Sequence, residues 1–136
     1  MRIYAILILL LVALASGCIC TSIDQNINTI QHAAETGDTT SCDAMDETLK
    51  YICYTTVATS TGNLTICEKI PSTEDNAGCY ISVAVNTENI DVCDRIQIEE
   101  GRDSCILQVA SRAGDKGLCS RLNNSETKIR NCEKSI

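Results

Sequence analysis

The segment Cys53-YTTVATSTGNLTI-Cys67 decides the fold, because two segments built on the same pattern follow it. They read Cys79-YISVAVNTENIDV-Cys93 and Cys105-ILQVASRAGDKGL-Cys119. In all three, Val and Ala stand four and five residues after the first cysteine, and Asn or Asp stands four residues before the second. Agreement at so many positions, with a period of about 26 residues, predicts a stack of repeated units.

A partial copy of the pattern precedes the three complete ones. It begins at Asn28, where the others have cysteine, and it places His32 in the valine column and Ala33 in the alanine column. Atypical terminal units are expected of stacked repeats. We therefore expect these residues to form a half-repeat cap.

Each unit is predicted to contain two helices. Asn63 is a favourable N-cap for a short first helix, and Pro71 ends it. Ser72, with an acid three residues later, resembles the start of a capping box for the second helix. In that helix Cys79 and Val83 are four residues apart and share a face.

The turns between units carry a second helical signal. A residue in the left-handed conformation, usually glycine, commonly ends a helix. Three turns have glycine directly before the next cap and the fourth has glutamate, at Gly37, Gly62, Gly114 and Glu88. Strands would show strict two-residue alternation, which is missing. The predicted fold class is therefore all-α, a short α-solenoid of about four helical hairpins.

Disulfides are expected to hold these short helices together. The chain has 136 residues, ten of them Cys, and no Phe or Trp with which to build a large core. Repeat symmetry favours a pairing within each hairpin, which joins Cys42–Cys53, Cys67–Cys79, Cys93–Cys105 and Cys119–Cys132. The alternative, pairing across the constant 14-residue step, would leave the first and last of these cysteines without partners. The spacings offer no close ligand pair for zinc, so no metal or other cofactor is expected.

The N-terminus predicts export. Ile3 to Ala15 is an apolar run after one positive charge, and such a run is typical of a secretory signal peptide. The sequence Ala15-Ser16-Gly17-Cys18 resembles the lipobox of bacterial and archaeal lipoproteins. That resemblance implies cleavage before Cys18, which would carry a thioether-linked lipid and acyl chains such as palmitate. Two alternatives stay open: ordinary cleavage after Ala15, and an uncleaved anchor over 3–20.

The predicted domain organisation follows from these signals. Residues 1–17 are the signal peptide, 18–26 a lipidated tether and 27–136 the repeat domain. The full chain has a net charge of −7, and residues 18–136 carry 10 basic and 18 acidic side chains. An acidic chain is a poor partner for nucleic acid, because phosphate binding needs a basic face.

No catalytic constellation stands out in the sequence, so no enzyme activity is expected. His32 is the only histidine, and the repeat gives it a place in the cap. Tyr51, Tyr54 and Tyr80 could form a binding patch, although partly buried packing is the simpler interpretation. Cys20 has no partner within the repeat. Asn63 and Asn123 each begin an N-x-[ST] pattern, which makes them candidate glycosylation sites in a host that performs this modification.

Over residues 28–136 the chain resembles secreted or lipid-anchored, mainly archaeal, proteins with cysteine-paired helical repeats of the form C-x-x-I…C-Y-x-x-V-A. The Sel1-like cysteine-rich repeat proteins are a looser analogy, because their period is longer. Neither resemblance implies an active site. The expected function is that of a lipid-anchored binding module on the outer face of the cell membrane, whose acidic surface favours a basic partner. The alternative is a structural protein of the cell envelope without a specific ligand.

Overall fold

The described residues of the computed structural model, 23–122 and 125–136, form an all-α array. The first helix, α1, covers 23–36 within this part of the chain. It is followed by α2 (Thr40–Asp43), α3 (Glu47–Thr61), α4 (Thr73–Thr87), α5 (Glu99–Ala113) and α6 (Glu126–Ser135). Three 3₁₀ helices alternate with the later helices: η1 (Leu64–Lys69), η2 (Ile90–Arg95) and η3 (Lys116–Arg121).

The repeat is visible in the lengths and contacts of the helices. Helices α3, α4 and α5 have 15 residues each, and the three 3₁₀ helices have six each. Neighbouring long helices pack side by side, α3 on α4 and α4 on α5. Each 3₁₀ helix packs on the long helix that precedes it and on the one that follows. The predicted stack of hairpins is confirmed.

The short helix of each complete repeat is 3₁₀ rather than α-helical, which the sequence did not predict. Its last turn closes with i→i+3 bonds, such as Ile70 N to Cys67 O at 3.0 Å. Asn63, Asn89 and Asp115 cap these helices by accepting from the amide two residues later. A six-residue segment gains little from α-helical bonding, so the tighter 3₁₀ form can be used to connect two long helices.

The core consists of columns that run along the stack. The cysteines of the four hairpins are 0–3% exposed. The valine, alanine and isoleucine or leucine columns are 0–4% exposed, and they consist of Val57, Val83, Val109, Ala58, Ala84, Ala110, Ile70, Ile96 and Leu122. Because the same positions are buried in one core in every unit, small side chains suffice to exclude water without Phe or Trp.

The turns between repeats use the predicted left-handed residues. Gly37, Gly62 and Gly114 have φ of 74°, 70° and 64°. Glu88 takes the same conformation with φ of 51°, although its side chain makes this backbone unfavourable. The stack therefore keeps the turn geometry where the sequence lacks glycine, at a cost in backbone strain.

The N-terminal cap differs from the prediction in two details. Ala33 is 1% exposed, as the alanine column requires, whereas His32 is exposed although the valine column is buried elsewhere. Residues 23–26, which the sequence assigned to the tether, belong to α1. Cys18, Cys20 and the signal segment lie outside the described residues. Within the described part, no helix has the length and apolar character needed to cross a membrane.

Candidate functional site

The four disulfides are structural and offer no reactive thiol. They join Cys42 to Cys53, Cys67 to Cys79, Cys93 to Cys105 and Cys119 to Cys132, as repeat symmetry predicts. Each links a short helix to the long helix that follows, with Cα atoms 5.6–5.8 Å apart. Paired sulfurs are not nucleophiles and bind metals poorly. The described residues also contain no cluster of His, Cys, Asp and Glu suited to a metal ion.

Two of the three tyrosines considered as a binding patch are core residues. Tyr54 and Tyr80 are each 5% exposed. The Tyr54 hydroxyl donates to Asp43, and Lys69 lies 5.4 Å from the centre of the Tyr54 ring. Burial, together with the bond to Asp43, raises the pKa of Tyr54 to about 12. The packing interpretation therefore holds for these two, and only Tyr51 reaches a groove.

Asn63 is exposed but already has a structural role. Its Oδ1 accepts from the Thr65 amide at 3.1 Å and from the Thr65 hydroxyl at 2.8 Å. These bonds leave the amide nitrogen, the atom that glycosylation modifies, without a role in the cap. Glycosylation of Asn63 stays a prediction, and Asn123 lies outside the described residues.

A groove of about 900 Å³ lies over the seam between α3 and α4, and we call it the α3/α4 groove. Its lining combines carboxylates, hydroxyls, one tyrosine and a few apolar groups, in Glu47, Thr48, Tyr51, Ile52, Thr55, Thr56, Pro71, Ser72, Glu74, Asp75, Gly78 and Ser82. Gly78 adds to the opening, because a Cβ placed there would meet nothing within 4 Å. Ile52 is 49% exposed, whereas the column isoleucines Ile70 and Ile96 are buried.

The charged side chains of the groove are all acidic. Its lining includes Glu47, Glu74 and Asp75 but no Lys, Arg or His. The Tyr51 hydroxyl donates to Glu47 Oε1 at 2.7 Å. This bond raises the pKa of Tyr51, and the charge of Asp75 adds to the effect. Carboxylates of both α3 and α4 therefore act on Tyr51, and the groove favours a cationic group.

The distribution of charge along the stack also favours a cationic partner at the groove. Residues 23–87 carry nine acidic and two basic side chains, whereas residues 88–136 carry nine acidic and eight basic ones. The α3/α4 groove lies in the acidic half. Ion pairs between repeats are formed in the other half, by Arg112 with Glu88 and by Arg121 with Asp91 and Asp94. The net negative charge is therefore concentrated in the N-terminal half of the stack.

Sequence reasoning missed the groove. Glu47, Glu74 and Asp75 each fall in the first turn of their own helix, where an acid suits the helix dipole and does not by itself indicate a site. The pattern before the cysteine of each long helix could have revealed the groove, because residues two, four and six positions before that cysteine face the seams between long helices.

Comparison with known proteins gives no further guide to function. No family model, no curated protein and no solved structure matches the chain. The proposals below therefore depend on the geometry of this molecule and on its sequence. The four disulfides are typical of a protein outside the cytoplasm, in an oxidising compartment.

Proposed function

We propose that this protein is a lipid-anchored, extracytoplasmic binding module whose partner is a basic protein. The observation that carries the proposal is the α3/α4 groove, which holds three carboxylates and no basic side chain. Stacked repeats expose extended faces that suit a macromolecular partner. An acidic cleft on an acidic half-molecule would attract a positively charged one and speed its association.

The anchor part of the proposal is supported by sequence alone. The resemblance of Ala15-Ser16-Gly17-Cys18 to a lipobox implies a lipid on Cys18. Stable attachment takes more than one chain or a second membrane signal. Intact mass spectrometry of the protein from its host membrane tests this directly. A mature chain that begins at Cys18 with a lipid increment is expected, and an unmodified chain beginning at Ser16 would contradict it.

The binding role is tested by mild cross-linking of intact cells, followed by purification from the detergent-solubilised envelope. A stoichiometric partner with a net positive charge is expected. Its cross-links should map to peptides that contain Glu47 to Thr56 or Pro71 to Ser82, because these line the groove. Cross-links confined to the opposite end of the stack would contradict this role for the groove.

The second candidate is a structural protein of the cell envelope without a specific ligand. Four buried disulfides in a small domain favour it, because such a framework resists unfolding outside the cell. This candidate predicts abundant cross-links between copies of the same chain and no stoichiometric partner. The same experiment therefore separates the two functions.

A further inference from the structure

The seams between the long helices use equivalent positions in three different ways. One position is two residues before the cysteine of the earlier helix, and the other is four residues before the cysteine of the later helix. The pairs, in order along the stack, are Tyr51 with Asp75, Ala77 with Gly101, and Asp103 with Lys128. The repeat thus supplies an internal comparison for the α3/α4 groove.

The seam between α4 and α5 is closed by small residues. A Cβ added to Gly101 would lie 3.6 Å from the Ala77 Cβ and 3.1 Å from the Ile96 Cγ2. These distances mean that the two helices are in direct contact at this level. The seam leaves no room there for a ligand.

The seam between α5 and α6 is filled by the protein's own ammonium group. Lys128 Nζ lies 2.5 Å from Asp103 Oδ2 and 3.6 Å from Glu99 Oε1. The hydrogen bond from Lys128 to Asp103 raises the pKa of the lysine, with the charges of both acids adding to it. Two carboxylates of one helix thus hold an ammonium group presented by the next.

The α3/α4 groove keeps one carboxylate of that arrangement and lacks its cation, because Tyr51 stands where the later seam has Asp103. Glu47 occupies the position of Glu99, six residues before the cysteine. Asp75 stands where the later seam has Lys128, so a second carboxylate replaces the ammonium group. Glu74 brings the carboxylates of the groove to three, and no basic residue lines it. The negative charge that Lys128 balances in one seam is left unbalanced in the other.

We infer that the α3/α4 groove binds a lysine side chain of the partner protein, in the place that Lys128 occupies between α5 and α6. The inference rests on the proposed binding function and specifies its chemistry. Glu47 and Asp75 would hold the ammonium group from the two sides of the seam, and the ring of Tyr51 offers a further surface for a cation. Ile52 and Pro71 can pack against the apolar stem of the lysine.

The test is a titration of the full chain, in uncharged detergent at low ionic strength, with a fluorescent tetralysine peptide. Fluorescence anisotropy reports binding, and the same peptide with acetylated amines should not bind because acetylation removes the charge. Asp75→Lys introduces at this seam the residue that α6 already carries at the equivalent position. It should weaken binding more than about tenfold while helicity is unchanged.

Glu100→Lys is the matched control. It makes the same charge reversal on the exposed first turn of α5, outside the groove. It should weaken binding less than about twofold, because exposed charges at a distance are screened. If Asp75→Lys fails to fold, Glu47→Gln carries the test with an expected loss of about fivefold. Equal losses for Glu100→Lys and for the groove variants would overturn the inference.

Failure of this inference can be told apart from failure of the proposed function. A wild-type chain that does not bind tetralysine, but that cross-links through the groove to a stoichiometric partner, would overturn the lysine assignment alone. Loss of both results would overturn the binding function as well.

Discussion

The backbone of Glu88 is strained in the turn between two repeats, and relieving that strain should stabilise the protein. It has φ of 51° at a position where the other three turns have glycine. A left-handed conformation costs a residue with a Cβ about 1–2 kcal/mol. Glycine avoids this cost but gives the unfolded chain more freedom, which offsets about 0.4–1 kcal/mol of the gain.

The side chain of Glu88 contributes little against this. Its carboxylate lies 3.8 Å from Arg112 Nε, and both side chains are more than half exposed. Such a pair is worth at most about 0.5 kcal/mol. Glu88→Gly should therefore be about 1 kcal/mol more stable than Glu88→Ala, which keeps the strain and loses the same ion pair.

The assay is unfolding in guanidinium chloride without reductant, followed by far-UV circular dichroism. The Gly and Ala variants at position 88 are compared by their midpoints at a common slope. Gly114→Ala is the reciprocal control, since a Cβ there meets nothing within 4 Å and only its φ of 64° opposes it. It should destabilise the protein by about 1 kcal/mol. If Glu88→Gly proves less stable than Glu88→Ala, the strain argument is refuted.

Three further predictions test the disulfides, the seams between long helices and the buried Tyr54. Replacing Cys67 and Cys79 together by alanine opens a 12-residue link and should cost about 3 kcal/mol in the same unfolding assay; a cost below about 1 kcal/mol would contradict the role of the staple. Gly78→Ala adds a Cβ in open space and should stabilise α4 by up to about 1 kcal/mol. Gly101→Ala should destabilise the protein, because its Cβ would lie 3.1 Å from the Ile96 side chain. A change of the same sign in both variants would refute the closed seam between α4 and α5. The raised pKa of Tyr54, about 12, means that its contribution is complete below pH ~10 and is lost as the pH rises toward 12, so Tyr54→Phe should flatten the alkaline fall in stability between these values. An unchanged alkaline profile in that variant would assign the fall to other groups.

Much of the fold followed from the order of residues. The cysteine spacing and the repeated Val-Ala columns indicated hairpins, and the symmetric pairing of Cys67 with Cys79 is present in the structure. The caps were equally predictable, since Asn63 and Ser72 each accept from a backbone amide at the start of a helix. These features depend on local backbone bonding and on periodicity, which a sequence states directly.

The candidate site was not predictable in the same way. Glu47 and Asp75 are 28 positions apart, and each is an ordinary first-turn acid of its own helix. Their joint effect arises because α3 and α4 lie side by side. The 3₁₀ form of the short helices was also missed, since a capped six-residue segment is compatible with either helix type.

The sequence by itself determined an all-α repeat protein with one disulfide for each hairpin, because periodicity, caps and cysteine spacing are one-dimensional signals. Tertiary structure alone decided which seam is closed, which is filled by Lys128 and which is left open and acidic between α3 and α4. The physical reason is that a seam is formed by side chains from two helices, and charge or volume at one position has no consequence until packing sets its partner opposite it.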